Sequence, residues 1–180
     1  MNYNDFLTQL LNGYRNNYDI EEYGDRKEGL IATAHMHVEE YQCAVFKECK
    51  MWTADADEYV YIYRVQRLDA ESATRIINET HDDGMPKIDL DHVSFKNQHM
   101  CTHLVALIIA DEADAEAIKV IKKCKIYKNF MFSLKGWMEM HTALITLGDN
   151  KIYHNRYGKS TGDYIKMHID HYMANCLGKT

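Results

Sequence analysis

The sequence predicts a single α+β domain over residues 1–180: about six strands in a mixed or mostly antiparallel sheet, with packed helices, in the order α-β-β-β-α-β-α-β-β-(β)-α. Three observations lead there. Stretches whose apolar residues recur every three to four positions take turns with stretches that alternate at every second position, the marks of amphipathic helices and half-buried strands. Residues 102–111, THLVALIIAD, form a nearly unbroken apolar run, as a central strand buried on both faces requires. Finally, the 180 residues contain a lone proline, Pro86, so no proline-rich linker divides them, and the length suits one compact domain.

The elements follow in order. Asn4 is placed to cap a helix, with Asp5 in its first turn, and Phe6, Leu7, Leu10, Leu11 and Tyr14 recur at helical spacing over residues 4–16. EEYGDRKEG reads as a polar loop. From Leu30 the period becomes two: Leu30, Ala32, Ala34, Met36 and Val38 share one face, and Ile31, Thr33, His35, His37 and Glu39 the other. CAVFKECKMW reads as a second strand, TADADE as a turn, and YVYIYRV (59–65) as a third strand, together an antiparallel meander. Asp69 then caps a helix whose inner face carries Ala73, Ile76, Ile77 and Thr80, and Gly84 and Pro86 end it.

After the central run comes DEADAEAIKVIKKCK, acids first and lysines last, which matches a helix macrodipole. Ile126, Phe130, Phe132, Leu134, Met138 and Met140 all fall on even positions, so this stretch reads as one strand with those side chains turned into the core, bent or bulged at Gly136. HTALITL continues as a strand, GDN turns, and KIYHNRY returns as a hairpin partner. The chain closes with a helix whose stripe is Ile165, Ile169, Tyr172, Met173 and Cys176.

Composition narrows the function classes. The net charge of −6 argues against general binding to nucleic acid or a membrane surface. No apolar run approaches the ~18 residues of a membrane span, and the N-terminus lacks the pattern of a secretory signal. Five cysteines, an odd number without a CxxC pair, read as free thiols in a reducing compartment. The expected location is the cytoplasm, with no membrane partner.

Three groups of residues are candidate sites. Between Lys119 and Lys159 nine basic residues face only Glu139 and Asp149, so this segment carries +7 and the remainder −13. Its patch is Lys122, Lys123, Lys125, Lys128 and Arg156. Such a strip grips a polyanion when aromatic rings stand open beside it. With Phe130 and Phe132 turned inward it is instead a solvated face, or a docking surface for an acidic partner or the acidic part of a second copy. The second group is HMCTH: in an extended chain His99, Cys101 and His103 point to one side, about 7 Å apart, and could ligate a metal such as zinc, with His35 and His37 as a second alternating pair. The third is ECK, Glu48-Cys49-Lys50. It resembles the (D/E)xK element of the PD-(D/E)xK nuclease core, as does the order helix, meander, helix, strand. That resemblance implies two carboxylates holding Mg²⁺, Glu48 and an upstream acid, Glu39 or Glu40, with Lys50 supporting the attacking water, although the PD dipeptide is missing. No dinucleotide-binding or P-loop glycine motif and no nucleophile elbow is present.

YDIEE, KMWTADADEYVYIYRV, HMCTHLVALIIADE, LKGWMEM and NRYGK, spread over most of the chain, together resemble a family of small bacterial proteins to which no activity is assigned. That resemblance implies a single bacterial cytoplasmic domain. The function expected from the sequence is non-enzymatic binding or protein interaction without a cofactor, the partner being a second copy or an acidic protein, and thirteen amphipathic tyrosines suit such contacts. The alternative is a metal-dependent phosphodiesterase or nuclease-like enzyme using Glu40, Glu48 and Lys50 and a divalent metal.

Overall fold

The computed structural model describes residues 2–24, 29–38, 54–88, 98–132 and 134–177. Among these residues the strands are β1 (Asp19–Glu22), β2 (Leu30–Val38), β3 (Ala54–Leu68), β4 (Gln98–Ala113), β5 (Tyr127–Asn129), β6 (Trp137–Thr146) and β7 (Lys151–His154). The helices are α1 (Tyr3–Tyr14), α2 (Ala70–Gly84), α3 (Ala115–Lys123) and α4 (Lys159–Leu177). The strands form one mixed sheet in the order β1-β2-β3-β4-β6-β5, with β7 also paired to β6. The β3–β4 and β4–β6 pairs are parallel and the others antiparallel. The two parallel steps contain the helices α2 and α3, because a parallel return needs a crossover.

β4 occupies the middle, and residues 104–110 are buried without interruption. Its odd positions Val105, Leu107 and Ile109 join Phe6, Leu10, Leu11, Ile165 and Ile169 of α1 and α4. Its even positions Leu104, Ala106 and Ile108 join Ala73, Ile76, Ala117 and Ile121 of α2 and α3. The apolar run thus serves two cores, one on each face.

Asp69 caps α2 as its position predicts, accepting from the Ser72 amide at 2.7 Å. The α1 cap lies two residues earlier than expected: the Asn2 side chain, not Asn4, accepts from the amides of Asn4 and Asp5. In the last helix Ile165 and Ile169 are buried, but Met173 is exposed.

Three expectations need correction or fall out of view. The expected strand CAVFKECKMW lies outside the described residues. Residues 54–58, within the TADADE read as a turn, open β3, while part of the expected polar loop forms β1. Asp57 and Glu58 tolerate the strand because their carboxylates are partnered, Asp57 by His35 and His37 and Glu58 by the Tyr18 hydroxyl. The third concerns residues 126–140, which are not one strand. β5 ends at Asn129, a turn follows with Met131 and Phe132 at positive φ (49° and 55°), and β6 begins at Trp137. Phe130 plugs into the core at 7% exposure, but Phe132 stands at 98%.

A candidate metal centre

One face of the sheet, beneath α1 and α4, changes from apolar to polar near the N-terminal ends of the parallel strands. The register places Met36, Glu58, His103, Glu139 and Tyr127 in one row across β2, β3, β4, β6 and β5. Cross-strand partners project to the same side. The next row inward reads Ala34, Val60, Val105 and His141. A histidine therefore stands at the rim of a hydrophobic layer, and Glu139 lies two residues before it on the same strand face.

His103, Glu139 and His141 converge. A ligand atom from each lies within 4.8 Å of the others, and the two imidazole rings stack with centroids 4.4 Å apart. The His141 ring is 5% exposed, with Nε2 3.7 Å from Glu139 Oε2. Neither of its nitrogens makes a hydrogen bond. Burial, then the neighbouring His103, pushes its pKa down to about 3, so at neutral pH the contact with Glu139 is not an ion pair. Burial also lowers His103. Both imidazoles are neutral at pH 7, the protonation state a metal ligand needs.

The loop after β7 holds this part of β6 in place. Buried Asn155 accepts from the amides of Thr142 (3.1 Å) and Gly158 (2.7 Å). It donates to the carbonyls of Met140 (2.7 Å) and Cys124 (3.1 Å). Its contacts thus flank His141 on both sides. A Cβ on Gly158 would stand 2.7 Å from the Thr142 carbonyl oxygen, so this close approach requires glycine.

Beside the row, a cleft of about 290 Å³ is lined by Tyr14, Tyr18, Glu58, Thr161 and Tyr164 among others. Burial raises the Glu58 pKa, with the Tyr18 hydrogen bond opposing the shift.

The expected site residues are distributed unevenly. Cys101 and His103 do share a face of β4, but the His99 side chain lies outside the described residues, and a bulge opposite Asp55/Ala56 breaks the alternation between His99 and Cys101. Cys101 is pushed up to about 11 by burial and by the charges of Glu139, Asp57 and Glu58, which keeps it a thiol. His35 and His37 lie on the opposite face of the sheet, so they cannot complete a site with His103. Each contacts Asp57 Oδ1 at 2.9 Å, and His35 stacks on Tyr59. Glu39, Glu40, Glu48 and Lys50 all lie outside the described residues. Lys122, Lys123, Lys125, Lys128 and Arg156 are exposed, and no ion pair joins them to a described acid. Their neighbours Lys119, Lys151 and Lys159 pair with Glu116, Asp149 and Asp163. Sequence reasoning missed Glu139 and His141. The signal available was the alternation Glu-x-His in MEMH, but only strand register brings it beside His103.

Comparison with curated proteins found no match, and comparison with solved structures found none either. A family model described as a domain of unknown function matches residues 2–167, in agreement with the resemblance to a family without assigned activity. The chain accordingly belongs to the DUF8052 family.

Proposed function

We propose that the protein binds a divalent transition-metal ion through His103, Glu139 and His141, with a coordination position left open. The observation that carries this reading is the buried His141 ring, whose two nitrogens lack any hydrogen-bond partner beside a carboxylate and a second neutral imidazole. An unmade buried hydrogen bond costs about 1–3 kcal/mol, and native structures rarely leave one without a compensating use.

The donor set defines the class of ion. Two imidazoles and one carboxylate suit zinc or ferrous iron, whereas magnesium and calcium prefer oxygen donors throughout. Tetrahedral bonds of ~2.0–2.2 Å place ligand atoms roughly 3.4 Å apart, which small rotamer adjustments reach from the present spread of up to 4.8 Å. Structural zinc sites normally close with four protein ligands, while three leave room for water or a ligand. An ion there would supply Lewis acidity and a bound water of lowered pKa. His103 and His141 supply neutral nitrogen donors, and Asn155 and Gly158 position the β6 backbone around His141.

The test is thermal denaturation of chelator-treated protein with zinc, manganese, ferrous iron or nickel. A metal at 100 times its dissociation constant raises stability by about 2.7 kcal/mol. Glu139→Gln and His103→Gln should each reduce that response while leaving the metal-free protein folded. No response to any of these ions would remove the proposal.

A further inference from the structure

A second feature stands at the same end of the sheet and is independent of the metal centre. Between Ala117 and Met138 the chain carries Lys119, Lys122, Lys123, Lys125, Lys128 and Lys135 and no acid, in a protein of net charge −6. α3 follows the C-terminal end of β4 and leads into β5, which runs antiparallel to β6. Lys122 and Lys123, in the last turn of α3, therefore lie at the same end of the sheet as the β5–β6 turn. At that turn Met131 (61% exposed), Phe132 (98%) and Leu134 (72%) project into solvent.

The described residues of the turn are held by specific contacts. Phe130 is buried beneath it, with the Lys128 ammonium 5.6 Å from its ring centroid. Backbone hydrogen bonds close it from Phe130 N to Gly136 O, Lys135 N to Phe130 O and Leu134 N to Met131 O. Met131 and Phe132 adopt positive φ, a conformation costly for residues with a Cβ. The fold thus accepts backbone strain while presenting large apolar side chains to water, where they contribute nothing to its own core.

We propose that this turn is a membrane-surface anchor: Met131, Phe132 and Leu134 enter the acyl boundary of an anionic bilayer while Lys122, Lys123, Lys125 and Lys128 meet its headgroups. Apolar insertion together with a basic flank is the combination that holds a peripheral protein on an anionic leaflet. The chemistry favours lipid over nucleic acid. Two of the three exposed side chains are aliphatic and cannot stack on bases, and the exposed ring of Tyr127 is already stacked on Tyr157. The overall negative charge, which argued against a membrane partner, is outweighed locally because charges beyond a Debye length of about 8 Å are screened.

The experiment is flotation of the full chain with vesicles of phosphatidylcholine alone and of phosphatidylcholine with phosphatidylserine, at low and physiological salt. Binding should require phosphatidylserine and weaken with salt. Phe132→Ser and the pair Lys125→Glu, Lys128→Glu should each reduce it at least tenfold, without lowering the melting temperature, since these side chains are exposed. Metal removal by a chelator should leave it unchanged, which separates this proposal from the metal reading. Absence of binding to anionic vesicles at low salt overturns the proposal. So does binding that responds to the lysines but not to Phe132, and so does preferential binding to an oligonucleotide or an acidic protein.

Discussion

Lowering the pH from 7 to 5 should cost the metal-free protein about 2 kcal/mol through His141 alone. Burial and His103 hold its pKa at about 3, against an ordinary value of 6.5. The sign follows from which state binds the proton. The folded pKa is depressed, so the folded protein keeps the ring neutral while the unfolded chain protonates as the pH falls through 6.5. Stability is therefore fully present above pH 6.5 and declines below it. Between pH 7 and 5 the unfolded ring takes up most of a proton and the folded ring almost none. That amounts to about 1.4 pH units of differential binding, or about 2 kcal/mol at 1.36 kcal/mol per unit. The result is nearly the same for any folded value below about 4. In a chain of this length the loss corresponds to roughly 4–8 °C in melting temperature. Burial of His103 and of His168 acts in the same direction. The assay is urea denaturation of chelator-treated protein at both pH values, for the native chain and for His141→Gln. The variant removes the titrating ring, so its pH-dependent loss should be smaller by about 2 kcal/mol. Equal losses in the two proteins would refute the reasoning, because the ring would then titrate normally in the fold.

Asn155→Ala should cost about 2–4 kcal/mol in the same denaturation assay, since it leaves buried amides and carbonyls around His141 without partners. It should also weaken the zinc-induced thermal shift, while a variant with unchanged stability and zinc response would show that Asn155 does not organise the site. Asp69→Ala removes the cap on the Ser72 amide and should cost about 1 kcal/mol, measured by urea midpoint, with no change in the metal response; a response lost in parallel would tie α2 to the centre.

What the sequence alone determined are features encoded by local period. The burial of residues 104–110, the cap at Asp69 and the order of helices and strands follow from side chains a few positions apart. The exposed, basic character of Lys122, Lys123, Lys125, Lys128 and Arg156 was legible in the same way. Alternation misled at residues 126–140. Period two assumes unbroken extended backbone, and left-handed residues at Met131 and Phe132 interrupt it, so two phenylalanines on even positions end in opposite environments. The candidate site belongs to the tertiary structure. His103 and Glu139 are separated by 35 intervening residues and a helix, and they become neighbours only through the parallel pairing of β4 with β6. A one-residue slip of that register would turn Glu139 and His141 to the other face, and no local pattern specifies it. The same pairing buries the His141 ring without a partner, and that burial gives the residue both its low proton affinity and its fitness as a ligand.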